Sequence, residues 1–226
     1  MFKGYVTNTY EITDAYKKIL LDAKDAKVKI EPSNDNGTKM VFFEHKKHPY
    51  EFFIEDDTLT IKLVKTRWYN LLRVGVDHSE IRLYVPKSTL ETISVRSNTG
   101  YVDISSIICN GAIDIHINTG NVNLEGVFCQ AFNSNGNTGC ISLNKLTATE
   151  SVSIKRGTGK VSLNDSSAPE IFVKTNTGSV RGRLPSNTVF SVCTNTGKTK
   201  VPTPPIGEAI GGRCEIKTNT GNINFE

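Results

Sequence analysis

A chain of 226 residues and 24.9 kDa has room for one large domain or two modest ones, and 37% hydrophobic with 22% charged residues is ordinary for a globular protein. This composition excludes a disordered chain, a collagen and a multi-span membrane protein. A net charge of +4 and a pI near 8.7 are too mild to imply a polyanionic partner unless the charge is concentrated somewhere.

The chain changes character after Leu90. Of 20 Asn and 18 Gly, 16 and 15 lie beyond it, whereas 12 of the 18 aromatic residues lie before it. Residues 1–90 are therefore expected to form a β-rich cap region, and residues 91–226 a repetitive one. Within the cap, a strand is expected around Lys18 to Asp22, although Ala15, Tyr16, Ile19, Leu20 and Ala23 after Asp14 also fit a short amphipathic helix. Val28 to Glu31, Met40 to Glu44, Tyr50 to Glu55, Leu59 to Val64 and Ile81 to Val85 read as antiparallel strands, with turns at 34–37 and 55–58. His45 and His48, with His78, have the look of a metal site. No carboxylate is spaced to complete it, and an exposed polar loop is the expected outcome.

Beyond Leu90 a tripeptide recurs: Asn98-Thr99-Gly100, Asn118-Thr119-Gly120, Asn137-Thr138-Gly139, Gly157-Thr158-Gly159, Asn176-Thr177-Gly178, Asn195-Thr196-Gly197 and Asn219-Thr220-Gly221. Successive glycines are 20, 19, 20, 19, 19 and 24 residues apart. Before each tripeptide apolar residues alternate, as in Ile93 and Val95 or Ile113 and Ile115. After it they alternate again, as in Val102 and Ile104 or Val122 and Leu124. Period-2 alternation means strands with one buried face. Its parity breaks across the tripeptide, so Asn-Thr-Gly is a corner, where glycine and asparagine supply left-handed backbone at little steric cost.

A unit of about 20 residues cannot bury its own strands, whereas stacked units share one core. The expected fold is thus all-β, a parallel β-solenoid of about seven coils with an antiparallel N-terminal cap. Corner asparagines stacked about 4.8 Å apart would form a hydrogen-bonded ladder, interrupted at Gly157. Residues 201–213, rich in Pro and Gly, read as a loop that lengthens the last interval.

These stretches resemble a bacterial candidate-adhesin domain family of unknown function. The resemblance rests on Val28-Lys-Ile-Glu-Pro-Ser33, Leu59-Thr-Ile-Lys-Leu63, Ile81-Arg-Leu-Tyr-Val-Pro86 and Ile93-Ser-Val-Arg-Ser-Asn-Thr-Gly100, and extends over residues 18–226. It implies an extracytoplasmic β-solenoid of the cell envelope, tethered through a segment absent from this chain and related in layout to envelope-stress accessory proteins. It supplies no catalytic residues.

No catalytic, cofactor-binding or metal-ligating residue is expected. Only Asp103 among the residues three after each corner glycine is a carboxylate, whereas glycoside hydrolysis needs a pair. Asp103, Asp114, Glu125 and His116 fall in neighbouring units and read as a solvated face. Neither a Walker, a GxSxG nor a dinucleotide fingerprint occurs. The five cysteines have no zinc spacing and read mainly as small buried hydrophobes. Cys109 and Cys129 are expected to stack, and Cys193 to face outward.

Charge is concentrated in the middle of the repeats. Residues 91–144 hold one Arg against four acids, while Lys145 to Lys200 hold nine Lys and Arg against three acids. Lys155, Lys174 and Lys217 before the corners, and Lys160, Arg181, Arg183, Lys198 and Lys200 after them, are expected to line up in stacked coils as a stripe for an anionic cell-wall polymer or acidic polysaccharide. Without interleaved aromatics, nucleic acid is not expected. The sequence thus favours a non-enzymatic envelope scaffold or adhesin-like binding module. A carbohydrate-active enzyme on a β-helix and a structural or regulatory partner in an envelope-stress system are the alternatives; an exposed apolar patch near Phe225 would favour the latter.

Overall fold

The computed structural model describes residues 4–35, 37–64, 78–87, 90–204 and 211–226, and these are all-β. Asn36 of the expected 34–37 turn and residues 205–210 of the expected loop lie outside the described residues.

The first seven strands are β1 (Tyr5–Ile12), β2 (Lys18–Lys24), β3 (Lys27–Pro32), β4 (Thr38–His45), β5 (Tyr50–Glu55), β6 (Thr58–Leu63) and β7 (Glu80–Val85). Residues 18–24 form a strand because Ile19 and Leu21 lie in register with Leu59 and Ile61 on one side and with Ile93 and Val95 on the other, so period 2 buries more than a helical face would. β1, which carries no clear sequence signal, runs antiparallel to β4. Asp56 and Asp57, at φ 47° and 57°, make the two-residue hairpin between β5 and β6.

The expectation of antiparallel strands throughout this region is corrected. β1–β4, β4–β7 and β5–β6 are antiparallel, but β2 is parallel to β6, and β3 is parallel to β7. The reason is a corner without glycine. Lys24 adopts φ 54°, and Asp25 then turns the chain around the core instead of back along the sheet. Asp25 also takes the place of a corner asparagine, accepting hydrogen bonds from Thr99 Oγ1 at 2.7 Å and Asn98 Nδ2 at 3.5 Å.

The repeats supply β8 (Leu90–Ser105), β9 (Cys109–Glu125), β10 (Phe128–Thr138), β11 (Ile141–Asn144), β12 (Thr147–Thr158), β13 (Val161–Asn164), β14 (Glu170–Thr177), β15 (Val180–Arg183), β16 (Thr188–Thr196), β17 (Thr199–Lys200), β18 (Gly212–Thr220) and β19 (Ile223–Phe225). Like positions pair in parallel from unit to unit, as in Ile93 with Ile113 and Val122 with Ile141. The alternating residues read from the sequence, such as Ile113, Ile115, Val122 and Leu124, are buried in one core that runs from Tyr16 to Phe225.

The corner works differently from expectation in one respect. Its glycine has positive φ, from 131° at Gly139 to 156° at Gly178, while no corner asparagine does. The asparagines instead form the ladder: Asn118 Nδ2 donates to Asn98 Oδ1 at 3.4 Å, Asn137 to Asn118 at 2.6 Å, and Asn219 to Asn176 at 2.7 Å. Gly157 stands between the two ladder segments.

The order of the last two units is a second correction. β14 and β15 pair with β18 and β19, which in turn pair with β16 and β17, so the final unit inserts between the fifth and sixth. Size complementarity accounts for this. At the inward position where other units carry Ile104, Leu124, Leu143 and Leu163, β15 has Gly182 and β19 has Phe225, and these two residues are in register. Phe225 is 1% exposed and so forms no part of an exposed apolar patch, the feature that would have favoured a regulatory partner; the stack ends on β16 and β17, with Phe190 and Val192 half-buried.

Two features of the core bear on stability. Arg156 points inward at 4% exposure, donating from Nη1 to Ile117 O at 2.9 Å and from Nη2 to Ser134 Oγ at 3.1 Å. Burial pushes its pKa down to about 10, a cost of about 3 kcal/mol, and its buried Nε has no hydrogen-bond partner among the described residues. The thiols of Cys129 and Cys214, also buried, are pushed up to about 12 by desolvation. In the unfolded chain they ionise near 8.5, so between that pH and 12 the unfolded state holds fewer protons and stability falls as pH rises. Each thiol is expected to remove up to about 4 kcal/mol by pH 12. Urea unfolding at pH 8 and pH 10.5 checks this: Cys129→Ala with Cys214→Ala should flatten the decline, and an unchanged decline would refute the assignment.

Candidate functional site

Alternation within β12, β14 and β18 directs Ile154, Val173 and Ile216 into the core and the next residue of each strand outward. Parallel register then places Lys155 beside Lys174, and Lys174 beside Lys217. The same outward column continues the other way through Asn135, His116 and Arg96, and ends on Cys193 beside Lys217. At about 4.8 Å per strand, this makes a straight run of donors and cations on the first sheet face. Lys217 pairs with Glu215 at 2.5 Å, both side chains being exposed, whereas Lys155 and Lys174 have no ionic partner among the described residues. Arg96 and His116 were not singled out by charge counting, because they lie in the acidic part of the sequence; the column is visible only once the units are aligned.

The other expected cations do not form one stripe. Arg181 and Lys200 are separated by Asn224, and the inserted final unit likewise places Asn222 between the columns of Lys160 and Lys198. Arg183 is held by Asp165, with Nη2 at 2.7 Å and Nε at 2.8 Å from Oδ1. Arg156, counted among the basic residues, is in the core. The inserted β18 and β19 are the physical cause of this split: they bring Lys217 to the first face and interrupt the second with asparagines.

The carboxylates of the early units are bound by their neighbours. Asn123 Nδ2 donates to Asp103 at 3.0 Å, Asn133 to Asp114 at 2.9 Å and Asn144 to Glu125 at 2.5 Å. Each acid thus meets an amide one unit on. A shallow cleft of about 220 Å³ lies over Ser94, Arg96, Asp114, His116 and Asn133. His45 and His48 face each other with ring centroids 5.6 Å apart, and Tyr5 packs edge-on to both His45 and His78. Among the described residues no group of three or more His, Cys, Asp or Glu is placed to hold a metal ion. All five cysteines are free thiols: Cys109, Cys129 and Cys214 are buried, and Cys140 and Cys193 are exposed.

The family described as Toastrack DUF4097 matches residues 16–226, nearly the whole chain. The chain belongs to the Toastrack family. Solved structures with the Toastrack chain's fold include a candidate adhesin from Bacteroides fragilis, 17% identical, with TM-score 0.50 and coverage of 99% of this chain and 98% of that one. Two proteins of Parabacteroides distasonis are also similar. One is a candidate adhesin at 12% identity and TM-score 0.51, covering 98% and 97% of the two chains. The other is a candidate lipid-binding protein at 14% identity and TM-score 0.54, covering 100% and 98%. No curated protein matches the Toastrack chain. At these identities the likeness speaks for the fold alone. Among the described residues no helix is long and apolar enough to cross a membrane.

Proposed function

We propose that this Toastrack protein is a non-enzymatic, envelope-associated, adhesin-like module that holds an anionic glycopolymer along its first sheet face. In this reading residues 91–226 form a β-solenoid of about seven corner units, and residues 1–90 cover its first edge, which would otherwise offer unpaired backbone to other chains. The observation that carries it is the register-locked column of Lys155, Lys174 and Lys217, extended by Arg96 and His116. A row of cations whose backbone positions are fixed at strand spacing suits an extended polyanion, since no change of fold is needed to gather the charges. The carboxylates of the early units, already bound to asparagine amides, favour a binding surface over acid–base chemistry. A cell-surface location is part of this proposal, and the candidate-adhesin descriptions of structural neighbours support it.

The test is retention on immobilised polygalacturonate and on cell walls carrying anionic glycopolymer. Reversing Lys155, Lys174 and Lys217 to Glu should weaken retention at least about tenfold, as exposed charges contribute up to about 1 kcal/mol each. Wild-type retention should also fall as salt rises. Retention unaffected by the triple reversal would refute the proposal.

A further inference from the structure

We propose that the second sheet face carries a discrete site for an acidic sugar residue, whose carboxylate is taken by Arg181. This rests on the reading above that the protein binds an acidic polymer, and it names the group recognised and a second place of contact.

The site is a groove of about 500 Å³ on the outer side of β13, β15 and β19. Arg181 and Arg183 point outward on either side of Gly182, whose backbone lines the floor between them. Arg181 is exposed and makes no hydrogen bond or ion pair among the described residues. Its neighbour in register is Asn224, whose amide is also without a partner there. Across the groove Asp165 binds Arg183 entirely through Oδ1, which fixes the Arg183 fork and leaves Oδ2 to accept a hydrogen bond.

A planar guanidinium beside an amide donor matches a carboxylate, and the carboxylate oxygen of Asp165 matches a hydroxyl. Together they suit a ligand that is both acidic and polyhydroxylated. Asp165 and Glu226, which also lines the groove, repel the more highly charged phosphate more strongly than a singly charged carboxylate. A neutral sugar lacks the charge for Arg181, and no aromatic ring lines the groove for it to stack on. The groove lies on strands after the corner and the lysine column on strands before it, with no residue in common, so the two surfaces can be tested separately.

The experiment is an NMR titration of the whole chain with D-glucuronate as probe, and with glucose and inorganic phosphate for comparison. Glucuronate should shift the Asn224 side-chain amide and the Arg181 Nε–H saturably. Glucose should not, and phosphate should bind at least about tenfold more weakly. Arg181→Gln should weaken glucuronate binding at least about tenfold, the value of a lost charge-assisted hydrogen bond. The Lys155, Lys174 and Lys217 reversal should leave it unchanged. Absence of saturable shifts, an equal response to phosphate, or insensitivity to Arg181→Gln would each overturn the site. Such a result alongside polymer retention that depends on the lysine column would dismiss the groove alone.

Discussion

Gly139→Ala is expected to prevent this chain from reaching its folded state. A Cβ at residue 139 would lie 1.9 Å from the carbonyl oxygen of Gly120 and 2.5 Å from its carbon, both main-chain atoms that cannot swing aside. The residue also sits at φ 131°, a backbone region that side-chain-bearing residues rarely enter. Relief would require parting β9 from β10 at the corner, where the amide of Asn137 binds Asn118 at 2.6 Å. The combined cost exceeds about 4 kcal/mol, the range reached only by changes that break the native backbone arrangement, and is comparable with the whole stability of a domain. Gly126 is the control. It occupies the next bend of its unit at φ 61°, where the equivalent residues are Ser106, Lys145 and Asp165, and a Cβ there meets only Ser106 Oγ at 3.9 Å. Gly126→Asn should therefore cost less than about 1 kcal/mol. Thermal unfolding followed by circular dichroism distinguishes them; a Gly139→Ala protein melting within a few degrees of wild type would refute the close-approach argument.

The contrast between these two glycines shows what the sequence could reveal. A corner repeated at nearly fixed spacing, flanked by period-2 apolar residues, determines which residues go inside, and that pattern appears in the structure at Ile113, Ile115, Val122 and Leu124. Lys155 and Lys174 were legible as a column for the same reason, since outward positions follow once the inward ones are set. What pattern could not reveal is which unit lies against which. Neighbours in sequence are usually neighbours in space, and every Asn-Thr-Gly corner is compatible with every other. The choice is made by single side chains, Gly182 in register with Phe225 and Gly136 in register with Arg156, where a Cβ at residue 136 would lie 1.9 Å from Arg156 Nη1; this complementarity exists only in three dimensions. The Asp25 corner was hidden for a related reason: a carboxylate replaces the asparagine, and Lys24 supplies the positive φ without a glycine to mark it. Unit order also reaches the site, because the inserted unit brings Lys217, expected in this column, directly beside Lys174 and removes Lys200 from beside Arg181.

That inserted unit gives the second large expected effect. Phe225→Ala removes a fully buried ring that fills the space left by Gly182 and packs at a tilt against Phe190, with centroids 5.1 Å apart. Truncating such a side chain costs about 3–5 kcal/mol. The loss should be local, because β17 is held on its sheet by pairing with β19, and β16 by pairing with β18. Loosening the final unit therefore also releases the sixth. Amide exchange should accelerate across 188–200 and 212–225 while β8, β9 and β10 keep their protection. Phe225→Leu, which places at this position the residue found in β9, β11 and β13, should recover about half of the loss. Restoring bulk from the other side should fail: in Gly182→Leu the Cβ would lie 1.7 Å from the Leu163 carbonyl oxygen, so the double variant with Phe225→Ala is expected to be less stable than Phe225→Ala alone. If exchange rose evenly along the chain, or if Gly182→Leu rescued Phe225→Ala, the insertion of the last unit would have some cause other than this pairing of an empty position with an oversized side chain.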